Sequence, residues 1–281
     1  MPELPEVEIL VRHLRPLLAG RTIREVHVQR PAVLDPTTAP RFKKALRGAT
    51  FLGVTRRGKY LLFEMRAPGS PRRFMLLGHL GMTGRMYLAR KSEPWPKHAA
   101  VVLELGANQF IYDDPRYFGR LTLDASPVAK LGPEPLTAQF TPGLLARELK
   151  RSRQPVKVKL LDQSLVAGIG NIYASEALFR AGLSPRRAAN RLSAPQVEKL
   201  WQAIREVLTE AIDCGSTIPL NFQPHRSNGL FYYGSTQGGF YTERLRVYDR
   251  AAQPCGRCQT PLKRMIQAAR STFYCPHCQK K

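Results

Sequence analysis

Apolar residues recur at helical spacing at the start of the chain: Leu4, Val7, Leu10, Val11, Leu14 and Leu17 share one stripe. A 3.6-residue period of this kind predicts an amphipathic helix from Leu4 to about Leu18. The period then changes. Runs near Ile23 to Gln29, Thr50 to Met65, Arg73 to Leu88, Ala100 to Asp113 and Gly119 to Leu123 are β-leaning and punctuated by Gly, Pro and Asn, which predicts an antiparallel sandwich. Leu131-Gly132-Pro133-Glu134-Pro135 breaks the pattern and reads as a linker. Helical signals follow, from Thr141 to about Arg151, from Val156 to Gln163 and from Ile172 to Ala181. Ser193-Ala194-Pro195-Gln196 then reads as a capping box for a long amphipathic helix ending at Gly215. The Gly-, Ser- and aromatic-rich stretch from Gln223 to Gly239 reads as a mobile loop.

Composition narrows the class of partner. The 281 residues are 43% hydrophobic, enough for a real core, and 44 Lys+Arg stand against 21 Asp+Glu for a net charge of +23. That excess points to a polyanion, with nucleic acid the best fit because basic side chains displace phosphate counterions. A ribosomal role or an anionic membrane surface is the blander alternative. No apolar run approaches a membrane span, and the start lacks the basic and apolar regions of a signal peptide. An intracellular, cytoplasmic location is therefore expected.

Four of the five cysteines stand as Cys255-x2-Cys258 and Cys275-x2-Cys278, with sixteen residues between the pairs. Each short turn can offer two thiolates to one tetrahedral zinc, and the intervening stretch is long enough for a returning β-hairpin. With all four positions thiolate, the zinc should be structural, leaving no coordination position for a catalytic water. Lys263, Arg264 and Arg270 make the intervening hairpin a basic finger.

Two further stretches carry possible chemistry. In Met1-Pro2-Glu3-Leu4-Pro5-Glu6, loss of Met1 would expose the secondary amine of Pro2 beside the Glu3 carboxylate, a pairing suited to covalent catalysis with proton transfer. Taken alone, the same residues read first as the ordinary start of a helix, with proline pre-setting φ and acids facing the dipole. In Val166-Ala167-Gly168-Ile169-Gly170-Asn171 two glycines permit a tight reversal into a helix whose first N–H groups would form a phosphate well.

Taken in order, these and other motifs resemble the bacterial formamidopyrimidine-DNA glycosylases and their endonuclease VIII-like relatives over nearly the whole chain. The resemblance rests on the opening octapeptide, Arg56-Arg57-Gly58-Lys59-Tyr60, His79-Leu80-Gly81-Met82, Asp114-Pro115-Arg116-Tyr117-Phe118-Gly119, Leu160 to Tyr173, Val247-Tyr248-Asp249-Arg250 and the cysteine hairpin. It implies an α+β multidomain fold: an N-terminal antiparallel β-sandwich flanked by helices (1–130), a helix-two-turn-helix domain with a lesion loop (131–240) and a β-hairpin zinc finger (241–281). It also implies a monomer that acts on double-stranded DNA containing oxidised purines or abasic sites, as glycosylase and lyase. Pro2 would attack the sugar C1′, Glu3 would move protons, Glu6 would assist or merely complement the helix dipole, and Lys59 would approach phosphate or lesion from a hairpin tip. Met82, Arg116 and Phe118 would fill the space of a flipped nucleotide, while His79, His98, Asn171 and Arg270 would contact the DNA. A preference for oxidised pyrimidines, and a noncatalytic damage-binding role, are the alternatives; Leu4 and Arg116 favour the purine branch. Three departures matter. Tyr117 replaces a second arginine, Ala268-Ala269 stand where glycine is usual, and the stretch from Gln223 to Tyr233 is unlike the usual lesion loop.

Overall fold

The structure, a computed structural model, describes residues 2–215 and 244–280, so the loop expected from Gln223 to Gly239 lies outside the described residues. The described chain forms two compact units, one containing Pro2 and Glu6–Ala129, the other Glu3–Pro5, 130–215 and 244–280.

The first helix, α1, runs Leu4–Leu18, the span its apolar stripe predicts. Strand β1 (Glu25–Val28) and helix α2 (Ala39–Leu46) follow. Helix α2 was not expected: it is short, and only Phe42 and Leu46 bury its inner face. Seven strands then form the sandwich: β2 (Thr50–Arg57), β3 (Tyr60–Arg66), β4 (Arg73–His79), β5 (Arg85–Arg90), β6 (Ala99–Glu104), β7 (Asn108–Asp113) and β8 (Arg120–Thr122). Together with β1 they make two four-stranded antiparallel sheets, ordered β1-β6-β7-β5 and β2-β3-β4-β8. A short helix α3 (Ser126–Ala129) closes the unit. Its core bridges the sheets: the rings of Phe51, Phe63 and Phe110 meet at 5.7 to 6.2 Å, in edge-on or tilted pairs.

Three of the longer β-leaning runs each resolve into two strands, because a turn can sit inside a hydrophobic run without breaking its average. Gly58 at φ 56° lets β2 return as β3, leaving Gly58-Lys59 as the tip between paired Arg57 and Tyr60. The run from Arg73 to Leu88 instead changes sheets at Leu80–Gly84, where Gly81 takes φ 60° and Gly84 N–H donates to Leu80 O at 2.8 Å.

The second unit contains α4 (Pro142–Lys150), α5 (Val156–Leu160), α6 (Asn171–Arg180), α7 (Ala194–Asp213) and the hairpin β9 (Lys263–Gln267)/β10 (Arg270–Tyr274). Thr141 caps α4 by accepting Leu144 N–H, and the expected capping box forms at the start of α7, where Gln196 Oε1 accepts Ser193 N–H. Helix α5 is shorter than expected, ending before the Asp162–Gly168 turn. The stretch read as a linker is bound in place: Gly132 N–H donates to Gln163 O, and Ala167 N–H donates to Pro133 O. The core of this unit gathers Leu4, Phe140, Val166, Leu178 and Leu200, and Phe179 joins Leu262 and Phe273 around the hairpin.

The hairpin has a two-residue loop, Ala268-Ala269, between paired Gln267 and Arg270. Both alanines take positive φ, 47° and 58°, as the right-handed twist of the strands demands of such loops. An L-residue there carries a cost of about 1–2 kcal/mol that glycine avoids, partly offset by the greater freedom of glycine in the unfolded chain. Replacing both alanines by glycine should therefore stabilise the zinc-loaded protein by about 1 kcal/mol, seen as a raised thermal midpoint; a lowered midpoint would refute the strain argument.

Candidate active site and DNA-binding residues

In the first unit the residues expected to touch DNA sit on adjoining turns. Lys59 is half-buried at the β2–β3 tip, and its charge is felt by His79 at the end of β4, whose ring lies 4.8 Å from that of Tyr60. Burial, reinforced by Lys59 and Arg120, pushes His79 down to about 4. Its Nδ1 accepts Gly81 N–H at 3.1 Å. His79 is therefore a neutral imidazole with its proton on Nε2, able to donate one hydrogen bond but bringing no charge to a phosphate.

The wedge candidates are exposed in the way that an inserting group requires. Phe118 is 56% and Met82 42% accessible, and the Arg116 guanidinium lies 4.7 Å from the Phe118 ring centroid. What holds them is Asp114, which is fully buried. One carboxylate oxygen accepts from Thr83 Oγ1 at 2.8 Å and from Arg116 N–H at 3.2 Å; the other accepts from Gly119 N–H at 2.9 Å and from the Tyr112 hydroxyl at 3.2 Å. One side chain thus organises both the loop bearing Arg116 and Phe118 and the sheet-switching turn bearing Met82. The two turns pack backbone to backbone: a Cβ on Gly81 would come within 2.7 Å of Phe118 C. Tyr117 adopts φ 54° and points its ring inward, under the Arg30 guanidinium at 5.1 Å and 3.4 Å by its hydroxyl from His98 Nδ1. The departure from the family pattern therefore removes a charge without adding a bulky group at the wedge.

Pro2, two residues before α1, is buried, and Glu6 is buried in the first turn of the helix. Glu3 belongs to the second unit, and here one expectation is corrected. The first N–H groups of α6 do not form an open phosphate well, because the Glu3 carboxylate accepts Ile172 N–H at 2.9 Å and Tyr173 N–H at 3.4 Å. The glycines of the preceding turn make room for this. Gly168 stands at φ 90°, and a Cβ there would come 2.7 Å from Leu4 Cβ; a Cβ on Gly170 would come 2.7 Å from Glu3 Oε2. Leu4 N–H also donates to Gly168 O at 3.1 Å.

At the head of α6, Asn171 donates to Ser271 O at 2.9 Å and accepts from Lys157 Nζ at 2.5 Å. Lys157 is 1% exposed; its ammonium also donates to Thr272 Oγ1 at 2.7 Å and Ser271 O at 3.2 Å, using all three protons. Lys157 thereby ties α5, Asn171 and the hairpin strand together. Arg270, exposed at the start of β10, is near enough for its charge to act on Lys157. Glu176, almost wholly buried on α6, accepts the backbone N–H groups of Arg246, Val247 and Tyr248 and so holds the approach to the hairpin.

The four cysteine sulfurs lie within 4.8 Å of one another, with Cys258–Cys275 at 3.5 Å and Cys255–Cys278 at 4.0 Å. Four sulfurs at ~2.3 Å from a tetrahedral zinc would stand about 3.8 Å apart, so the cluster fits one ion with no position left open. Among the described residues no other cluster of metal-binding side chains of this kind occurs.

Residues 1–121 match the profile of the formamidopyrimidine-DNA glycosylase N-terminal domain, 131–221 that of its H2TH domain, and 252–281 a zinc finger found in FPG and IleRS. The formamidopyrimidine-DNA glycosylase of Desulfitobacterium hafniense is 42% identical over 287 residues, covering 99% of this chain and all of that protein. That of Thermus thermophilus is also 42% identical, covering 99% and 98%. The chain belongs to the formamidopyrimidine-DNA glycosylase family. Among solved structures, the complex of the Lactococcus lactis Fpg with DNA containing an abasic site superposes with a TM-score of 0.87 at 33% identity, over 99% of this chain and all of the other. A MutM complex with DNA carrying carbocyclic 8-oxo-G superposes with a TM-score of 0.87 at 35% identity over the full length of both chains. The glycosylase family's zinc finger and the four-thiolate cluster agree on a structural zinc ion. Among the described residues no helix is long and apolar enough to cross a membrane.

Asp114, Lys157 and Glu176 were not singled out from the sequence. Asp114 stood inside a quoted motif, where only the exposed side chains drew notice. Lys157 and Glu176 are charged residues in helices, and no periodicity distinguishes a buried charge from a solvated one.

Asp114→Ala strands four donors and should cost about 2–4 kcal/mol of stability in chemical denaturation, with weaker binding to lesion-containing duplex; wild-type stability would show that the carboxylate does not organise the two turns. Lys157, shifted down to about 8 mainly by burial, has released its proton in the folded chain where the unfolded chain, at the ordinary value near 10.5, still holds it. Between those values the unfolded state binds more protons, so stability should rise with pH. Urea midpoints across this window should climb more steeply for wild type than for Lys157→Met, and equal slopes would exclude the linkage.

Proposed function

We propose that this chain is a bifunctional base-excision repair enzyme that removes oxidised purines, such as 8-oxoguanine and formamidopyrimidines, from duplex DNA and then cleaves the abasic site. The observation that carries the reading is the seat of Glu3: a carboxylate fixed by α6 N–H groups, directly following the residue whose amine becomes available once Met1 is removed. Family membership and the superposition on lesion-DNA complexes support the substrate class.

In this reading the Pro2 nitrogen attacks C1′ of the damaged nucleotide. The bond from C1′ to the base breaks, the base departs with a proton, and an iminium joins Pro2 to the opened sugar. The cationic iminium acidifies the C2′ proton. Its loss expels the 3′ phosphate by β-elimination, and a second elimination expels the 5′ phosphate. Glu3 supplies and removes protons near the sugar, Lys59 addresses phosphate or lesion, and Glu6 either assists or faces the dipole of α1. Met82, Arg116 and Phe118 occupy the vacated stack, as apolar wedges and a hydrogen-bonding arginine can. His79, His98, Asn171 and Arg270 bind the backbone, which positions the enzyme without reading sequence. The functional segments are 1–130 for chemistry, 131–240 for the helical DNA grip and lesion loop, and 241–281 for the zinc finger. The enzyme acts as a monomer on the DNA of the nucleoid, within the cytoplasm. Leu4 and Arg116 favour oxidised purines over oxidised pyrimidines.

Borohydride reduction during reaction with a duplex carrying 8-oxoguanine opposite cytosine should trap one protein–DNA adduct, mapped by mass spectrometry to Pro2. No adduct, or one attached elsewhere, would overturn the mechanism. Faster excision of thymine glycol than of 8-oxoguanine would instead retain the mechanism and overturn the purine preference.

A further inference from the structure

The first unit carries a groove of about 620 Å3 that none of the chemistry above uses. One wall is α2, which presents Arg41 and Lys44; the other is the turn joining β3 to β4, which presents Pro68 and Arg72. The floor is apolar, formed chiefly by Phe74 and Leu123, both half-buried. Its size is that of a site for a few side chains rather than for a single ion.

The charge on its rim is uncompensated. Two nearby surface arginines do have carboxylate partners, Arg73 with Glu64 at 2.8 Å and Arg47 with Glu25 at 2.7 Å. Arg41, Lys44 and Arg72 are exposed, and their side chains form no ion pair among the described residues. Arg41 and Lys44 are three residues apart and so share one face of α2, while Phe42 and Leu46 point into the core. The helix is thus oriented with its cations over the groove.

The groove is also remote from the residues assigned to DNA chemistry. The β3–β4 hairpin has Lys59 and His79 at its open end and Ala67 to Arg72 at its turn. From Phe74 to His79 is five strand steps, roughly 17 Å at ~3.3–3.4 Å per residue. A duplex would find cations here, but a phosphate backbone has nothing to place on a floor of Phe74 and Leu123.

We propose that this groove is a docking site for an acidic segment of a partner protein, one that lays apolar side chains on Phe74 and Leu123 and sets its carboxylates against Arg41, Lys44 and Arg72. Apolar surface ringed by charge of one sign is the form that such peptide sites take. The occupant would bind while the opposite end of the hairpin remains free for DNA.

The test is fluorescence anisotropy of a fluorescein-labelled peptide in which aspartates flank a Leu-Phe pair, added to the full-length, zinc-loaded chain. Three changes should each weaken binding by at least about tenfold: Asp→Asn throughout the peptide, Leu-Phe→Ser-Ser in the peptide, and the variant Arg41→Glu/Lys44→Glu/Arg72→Glu, whose loss sums three exposed ion pairs. Excess undamaged duplex should not displace the peptide, and the variant should excise 8-oxoguanine at the wild-type rate, which also shows that it is folded. Should the triple reversal fail to fold, Arg41→Ala/Arg72→Ala takes its place with the same expected direction. Undiminished binding by the variant, equal binding of the Ser-Ser peptide, or displacement by duplex would each overturn the proposal, the last by placing the peptide on the DNA-binding face.

Discussion

The Glu3 carboxylate on the leading N–H groups of α6 is the constraint on which the seating of the chain's first residues depends. Residues at a chain terminus are ordinarily loose, because little holds them and their backbone entropy is high. Here the third residue is fixed by main-chain donors that a helix start must leave unsatisfied in any case. The positive end of the helix dipole favours an anion at that point, and Leu4 fastens the next residue by its own N–H to Gly168 O. Once Met1 is removed, the Pro2 amine would lie one residue upstream of that anchor, with few orientations open to it. The covalent mechanism proposed for Pro2 needs that restriction, since an unrestrained amine would lose the advantage of proximity.

The same arrangement recurs at the side chains proposed to meet DNA. Exposed groups that must act are short-range dependants of one buried polar group: Asp114 for Met82, Arg116 and Phe118, and Lys157 for Asn171 and the hairpin strand. Burying a charge is costly unless its hydrogen bonds are met. Both groups meet that condition fully, the carboxylate with four donors and the ammonium with three acceptors. Rigid support below and exposed tips above is the arrangement expected of residues that must enter a base stack without deforming first.

Much of this was legible in the chain. The stripe from Leu4 to Leu17 became α1, the β-leaning runs became the two sheets, and the Cys-x2-Cys pairs converged as four thiolates. Each of those signals is a repeated pattern, so chance agreement at one position hardly matters. What was not legible depends on a single residue in three dimensions. Helix α2 buries only two side chains and offers almost no period to detect. The glycine turn at Gly168 and Gly170 was read as a phosphate well because a helix start is chemically indifferent to which anion it holds. Only packing reveals that the protein supplies its own, from a position 169 residues away in sequence. The replacement of arginine by Tyr117 likewise gained meaning only once its ring was seen turned inward, under Arg30.

The glycine turn bears on how this enzyme can be lost. Neither Gly168 nor Gly170 has a side chain to offer a substrate, yet a methyl group at either would press on Leu4 or on the Glu3 carboxylate. Such a change would leave the sandwich and the zinc hairpin untouched and would act where Leu4 and Glu3 meet the turn before α6. Loss-of-repair alleles selected in a genetic screen should therefore include replacements of these two glycines, acting through the displacement of Glu3 and Leu4. Inheritance of a mutator phenotype could then rest on a residue that never meets the lesion.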